Sequence, residues 1–252
     1  MMGTLQGKVA LITGGNSGIG LATAAEFVAQ GANVAISGRD AHALEEAKHS
    51  LGDNVLVVQA DVTKLDEIDV LLKTVHETFG KIDVLFVNAG TAKMGPIEAM
   101  TEEVFDTVMN TNFKGVYFTI QKALPFLNEN ASIILNGSVN AMVGFANSSV
   151  YSASKAAVHS LARTLAPELI SRGIRVNTLA IGPIDTPLYG KLGFPQEVVQ
   201  GFAQAIISRL PVKRFGRTDE IAKAALFLAS EDSSFIVGSE MTIDGGLSIN
   251  TL

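Results

Sequence analysis

Cysteine is absent from the 252 residues, which removes disulfides, thiolate nucleophiles and cysteine metal sites together and leaves the redox compartment open. Basic runs are missing too, and the net charge is −6, so nothing offers a groove for nucleic acid or a contact for an anionic membrane. The first residues lack the apolar core of a signal peptide, and Lys8 leads straight into a strand-like run. No apolar stretch long enough to cross a bilayer escapes interruption by charge or glycine. A cytoplasmic location is expected. Histidine is scarce: His42 and His49 share the helical segment Ala41–Ser50 while His76 and His159 fall on two others, without paired ligand spacing, so no catalytic metal is expected. A GxSxG elbow is also lacking, which argues against a serine hydrolase built on Ser138.

What is present is apolar sequence, at 47% of the chain with only 17% charged residues, enough to bury a large core. Short β-branched runs alternate with longer segments of helical period almost to the end. That order implies an α/β fold, a parallel sheet with helices on both faces. Seven strands are expected over Lys8–Ile12, Asn33–Ser37, Val55–Gln59, Ile82–Val87, Ser132–Leu135, Ile174–Leu179 and Glu240–Ile243. Helices are expected over Ile19–Gln30, Ala41–Ser50, Lys64–Phe79, Glu102–Leu127, Tyr151–Arg172, Gln196–Ser208 and Asp219–Ala229. Thr63, Thr101 and Thr218 stand as N-caps, and Gly31, Gly80 and Gly173 as helix stops. No repeat or linker divides the chain, so residues 1–252 read as one domain. The Pro- and Gly-rich segment Gly182–Pro195 reads as a mobile loop, part of a substrate lid over about 182–210.

Directly after the first strand comes Thr13-Gly14-Gly15-Asn16-Ser17-Gly18-Ile19-Gly20. A strand that becomes a helix through glycines aims backbone N–H groups and the positive helix end at one point, which suits a pair of phosphates. Gly14 permits the turn, Gly18 allows close approach, and Gly20 lets helix pack on strand. The GxxxGxG spacing lacks the GK[ST] ending of a P-loop, so ATP hydrolysis is disfavoured. At the end of the second strand an acid would bind the 2′-hydroxyl of NAD; here Ile36-Ser37-Gly38-Arg39-Asp40 offers glycine and a guanidinium. Arg39 suits a 2′-phosphate, making NADP the expected cofactor. Asp40 as a ribose ligand or helix cap is the competing reading.

Tyr151 and Lys155 stand four residues apart, so on a helix they share a face. A cation beside a phenol favours the phenolate and draws its pKa from about 10 towards neutral, where proton transfer is useful. Together with the glycine turn, Asn88-Ala89-Gly90 after the fourth strand, Ser138 after the fifth and Asn112 in the long helix, this chain resembles the short-chain dehydrogenase/reductase family over nearly its whole length. Asp61-Val62, Gly182-Pro183-Ile184-Asp185-Thr186 and Asp244-Gly245-Gly246 extend the likeness. One departure is Ile181, where the family usually has proline.

The resemblance implies a Rossmann-like doubly wound sheet of order 3-2-1-4-5-6-7. It implies that Asn112, Ser138, Tyr151 and Lys155 are catalytic. It further implies that Gly14, Asn16, Ser17, Gly18, Ile19, Gly20, Arg39, Asp61, Val62, Asn88, Ala89, Gly90, Tyr151, Lys155, Gly182, Ile184 and Thr186 hold NADP, with Asp61 accepting from the adenine amino group. Substrate contacts are expected from Asn140, Met142, Gly144, Phe145 and Leu188, whose apolar or small character suits a hydrophobic ketone or aldehyde. An NADPH-dependent carbonyl reductase or secondary-alcohol dehydrogenase is the first expectation, and a 3-oxoacyl-thioester reductase the second. For the second, Lys213, Arg214 and Arg217 form the short basic cluster that could dock an acidic carrier. A non-catalytic NADP sensor would not need Ser138, Tyr151 and Lys155 in register. The two longest helices carry more apolar surface than one sheet face covers, and the resemblance implies a homotetramer.

Overall fold

The computed structural model describes residues 3–52, 54–187 and 196–249. Its strands are β1 (Val9–Thr13), β2 (Asn33–Gly38), β3 (Leu56–Gln59), β4 (Ile82–Val87), β5 (Leu127–Asn136), β6 (Arg175–Ile181) and β7 (Glu240–Ile243). They form one parallel sheet in the order β3-β2-β1-β4-β5-β6-β7. The helices are α1 (Gly18–Ala29), α2 (Ala41–Leu51), α3 (Leu65–Phe79), α4 (Glu102–Met109), α5 (Gly115–Ala123), α6 (Ser149–Leu169), α7 (Gln196–Arg209) and α8 (Thr218–Ala229).

The period-two character of the strands sorts their side chains between two cores. Leu11, Leu85, Ile133 and Leu135 pack with Leu71 of α3, Ile120 of α5 and Val158 of α6 on one face. Ile12, Phe86 and Ile134 pack with Phe27 of α1, Leu44 of α2 and Ile221 of α8 on the other. Both faces of the sheet are therefore covered, as a parallel sheet requires.

Three expectations about local structure need correction. The single helix over Glu102–Leu127 is instead α4, a π-helical turn at Asn110–Lys114, α5 and a 3-10 turn at Leu124–Phe126. Strand β5 then begins at Leu127, five residues ahead of the β-branched run at Ser132 that signalled it. Thr101 caps α4 by accepting the Val104 N–H at 3.3 Å, but Thr63 and Thr218 are not caps. Thr63 donates its hydroxyl to Asp61, and at α8 the Glu220 carboxylate accepts the Arg217 N–H instead. The glycines Gly31, Gly80 and Gly173 do end their helices with positive φ. Among the described residues no helix is long and apolar enough to cross a membrane.

At the carboxyl ends of the central strands one amide fastens three of them. Asn88, just past β4, donates through Nδ2 to the carbonyls of Thr13 and Gly14, each at 3.0 Å. Its Oδ1 accepts from the Asn136 amide at 2.7 Å, and its own N–H donates to the Thr13 hydroxyl. The glycine turn is thereby tied to β4 and β5. Asn88→Ala strands these buried partners and is expected to lower stability by about 2 kcal/mol. Urea unfolding should give an earlier midpoint at unchanged slope; an unmoved midpoint would count against the tie.

Candidate active site

The turn between β1 and α1 adopts left-handed backbone at Gly14 (φ +63°) and Gly18 (φ +54°). A Cβ at Gly20 would lie 2.2 Å from the Gly14 carbonyl oxygen and 2.5 Å from the Asn88 amide nitrogen. Gly20 is thus a packing residue behind the turn, while Gly14, Asn16, Ser17, Gly18 and Ile19 face an open cavity of about 630 Å³. That cavity runs along the carboxyl ends of the strands. Arg39, Asp61, Val62, Asn88, Ala89, Gly90, Gly182, Ile184 and Thr186 line it, as do Ser138, Tyr151 and Lys155.

At the β2 end residue 38 is glycine, and a Cβ there would stand 2.6 Å from the Asn16 amide oxygen, so a side chain would have to displace that of Asn16. Asp40 has its carboxylate at the α2 N-terminus, accepting from the Ala43 N–H at 3.1 Å. Arg39 is exposed, and its guanidinium makes no contact among the described residues. Asp61 accepts both the N–H and the hydroxyl of Thr63 on one oxygen, each at 2.9 Å, so it braces the turn after β3 while facing the cavity.

Ser138 lies two residues past β5 and is buried; Tyr151 and Lys155 come from successive turns of α6. The Ser138 hydroxyl accepts the Asn140 N–H at 3.2 Å and lies 3.4 Å from the Asn140 amide oxygen, and it stands near enough to the phenol to oppose part of its upward shift. Lys155 donates to the Asn136 carbonyl at 2.6 Å, and its Nζ lies 5.9 Å from the centre of the Tyr151 ring. Burial, more than any charge, sets the titration of both groups. It pushes the phenol above its ordinary value of 10, with the Ser138 hydroxyl opposing, and lowers Lys155 to about 8. The net shift of the phenol is upward, so burial outweighs the expected pull of Lys155, whose ammonium is directed at the Asn136 carbonyl.

Asn112 sits in the π-helical turn and does not face the cavity. Its Oδ1 accepts the Thr91 N–H at 2.8 Å, and its Nδ2 donates to the Thr91 carbonyl and the Ser154 hydroxyl. It clamps the segment after Gly90 from behind.

A family model described as enoyl-(acyl carrier protein) reductase matches residues 14–248. Oxidoreductase asL5 of Sarocladium schorii is 43% identical over 245 residues, covering 96% of each chain. The 3-oxoacyl-acyl-carrier-protein reductase FabG of Thermotoga maritima is 40% identical over 250 residues, covering 97% of this chain and 99% of its own. Among solved structures, a Brucella melitensis protein described as a short-chain dehydrogenase/reductase of the glucose/ribitol dehydrogenase kind superposes with a TM-score of 0.91 at 31% identity. That match covers 98% of this chain and 99% of the other. The chain belongs to the short-chain dehydrogenase/reductase family.

Oxidoreductases of this short-chain dehydrogenase/reductase family use a nicotinamide cofactor, and the cavity fits one. The open left-handed glycines give close approach at one end, and nothing lies nearer than 3.6 Å to a Cβ built on Gly18. Of the expected substrate residues, Asn140 and Phe145 line the cavity. Met142 and Gly144 do not, and Met142 is largely exposed, because the chain turns away through a 3-10 turn at Val139–Ala141. Leu188 lies outside the described residues. Sequence reading passed over Thr91, Met94 and Leu247, which also line it and which only their nearness to the NAG and DGG segments could have signalled, while Ile206 and Arg209 line it from within the segment 182–210.

Lys155 gives this site a pH signature. Its folded pKa of about 8 lies below the ordinary 10.5, so between these values the unfolded chain holds more protons and stability rises with pH, by up to about 1.4 kcal/mol per unit. The raised phenol of Tyr151 opposes this above its ordinary 10, leaving pH 8 to 10 as the window. Urea midpoints should climb across that window in the wild type and stay level in Lys155→Met. A level wild-type profile contradicts the buried ammonium.

Proposed function

We propose that the protein is an NADPH-dependent carbonyl reductase, or in reverse a secondary-alcohol dehydrogenase, acting on a small to medium hydrophobic ketone or aldehyde. The observation that carries this is the meeting of Ser138, Tyr151 and Lys155 on one wall of a cavity whose other end is the glycine turn. When bound, the nicotinamide supplies or takes the hydride. Gly14, Asn16, Ser17, Gly18 and Ile19 would hold the pyrophosphate end, Val62, Ala89 and Gly90 the adenosine and ribose, and Gly182, Ile184 and Thr186 the nicotinamide end. Tyr151 gives its proton to the carbonyl oxygen, and the Ser138 hydroxyl donates to that oxygen as charge develops there. Lys155, turned from Asn136 towards ribose hydroxyls, would bring its charge to bear on the phenol. Asn112 acts through the segment it clamps.

The preference for NADP rests on what stands at the end of β2. Glycine at residue 38 puts no carboxylate beside the ribose position, Asp40 turns its carboxylate to the α2 N-terminus, and Arg39, exposed beside them, can meet a 2′-phosphate. A smaller recess beside it is formed by Arg39, Gln59, Asp61, Lys64 and Glu67. An apolar substrate suits the part of the cavity wall formed by Val139, Phe145, Ile206 and Leu247. The name of the Thermotoga relative favours a second reading, reduction of a 3-oxoacyl thioester on a carrier protein. Against it, both arginines of the basic cluster are paired, Arg214 with Glu220 through two hydrogen bonds and Arg217 with Asp219, which leaves Lys213, donating to the Ser208 carbonyl, to supply the positive charge.

We further infer a homotetramer. Phe105 and Tyr117 stand exposed on α4 and α5, Ile170 at the end of α6, and Phe235 and Val237 ahead of β7, apolar side chains of the kind that subunits cover. Light scattering at micromolar concentration should return the mass of four chains; a monomeric mass rejects this.

Initial rates of NADPH and NADH oxidation across ketones, aldehydes, sugars and 3-oxoacyl thioesters test the function. Apolar ketones with NADPH should turn over fastest. Arg39→Ala should raise the NADPH KM by roughly tenfold or more, the weight of a charged hydrogen bond, with NADH little changed. Tyr151→Phe should bind NADPH normally and reduce nothing; full turnover by that variant sinks the assignment.

A further inference from the structure

Behind Ser138 lies a buried chain of polar groups that the reaction so far leaves unused. The backbone N–H of Ser138 is buried and donates to His159 Nε2 at 3.2 Å. On the other side of the ring, Nδ1 meets a carboxylate oxygen of Glu240 at 3.0 Å. The second oxygen of Glu240 accepts from the Arg163 guanidinium at the surface. His159 follows Tyr151 and Lys155 at the same four-residue step along α6, and Arg163 continues the step. Gly137 has no side chain where the ring sits: a Cβ there would lie 2.3 Å from His159 Nε2.

The hydrogen bonds fix the tautomer. Nε2 faces a donor and must accept, while Nδ1 faces a carboxylate and must donate. Resting on the reductase reading above, we propose that His159 is a positioning residue, whose neutral imidazole, oriented by Glu240, holds the Ser138 amide and so fixes the Ser138 hydroxyl against Tyr151. The chain Arg163–Glu240–His159–Ser138 links the exposed end of α6 and the edge strand β7 to the oxygen-binding serine.

The charged groups facing the ring are Lys155 and Arg163 from α6 and Glu240 from β7, while β6 presents Thr178 and the end of β5 presents Gly137 and Ser138. Burial, with help from Lys155 and Arg163, lowers the imidazole pKa to about 4, so the accepting form persists at neutral pH. A proton on Nε2 would set donor against donor. The unfolded chain takes up its proton near the ordinary 6.5, so this contribution to stability is complete above that value and is lost as pH falls towards 4.

The test uses the full chain in two arms. In the first, His159→Leu should lower kcat by about tenfold or more while the NADPH KM stays within about twofold, and His159→Gln, whose amide carbonyl can accept, should recover most of the loss. In the reducing direction the wild type should lose kcat at acid pH as His159 protonates, a limb that the Gln variant lacks. In the second arm, nitrogen-15 NMR of the wild-type imidazole at neutral pH should find Nδ1 protonated and Nε2 bare. A folded His159→Leu with wild-type kcat overturns the proposal, and so does a proton on Nε2. If no carbonyl in the panel is reduced by the wild type, the reductase reading fails while the NMR arm still decides the tautomer on which the positioning rests.

Discussion

A buried side-chain amide has more hydrogen-bonding capacity than a single neighbour can meet, and Asn88 meets its own by joining three strand ends. Its nitrogen serves the carbonyls of Thr13 and Gly14, its oxygen the amide of Asn136. Asn136 in turn accepts Lys155 through its backbone carbonyl. The glycine turn at one end of the cavity and the lysine at the other are therefore three hydrogen bonds apart. Leaving any of these partners unmet in the interior costs more than each bond gains, which is why the geometry of the two ends is set together. Gly20 follows from the same constraint, since any side chain there would displace Gly14 or Asn88.

Features carried by local sequence were legible without coordinates. The strands Ile82–Val87 and Glu240–Ile243 have the predicted bounds, and the glycine turn and the Tyr151–Lys155 step lie where their spacing put them. The interrupted helix was not legible. A π-helical turn at Asn110–Lys114 widens the helix without disturbing its apolar rhythm, and Pro125 enters a 3-10 turn at a position a helical start would also tolerate. The polar opening of β5, Asn128-Glu129-Asn130, gave no strand signal of its own.

The site was legible in its members more than in their duties. Gly20 belongs to it as structure behind the cavity, Asn88 both lines the cavity and ties the strand ends, and Asn112 reaches it through Thr91. Such roles depend on which strands become neighbours, information that a one-dimensional pattern does not hold. His159 is the clearest instance. On the helical period it is an interior polar residue with no ligand partner in sequence, and its meaning comes from Gly137, Ser138 and Glu240, residues that β5, β6 and β7 bring to it.

Along α6 the chemistry changes with depth, and burial is the largest cause at each step. Desolvation disfavours charge, so it moves an acid up and a base down. It raises the phenol of Tyr151, lowers Lys155 to about 8 and lowers His159 to about 4, while Arg163, one step further on, reaches solvent and anchors Glu240. The same buried helix face thus holds a proton on the phenol, keeps the imidazole neutral, and leaves the lysine near the point where a nearby charge or hydroxyl can decide its state. A proton donor that stays protonated until the carbonyl oxygen arrives, beside a base poised to respond, is what reduction of a carbonyl asks of the protein.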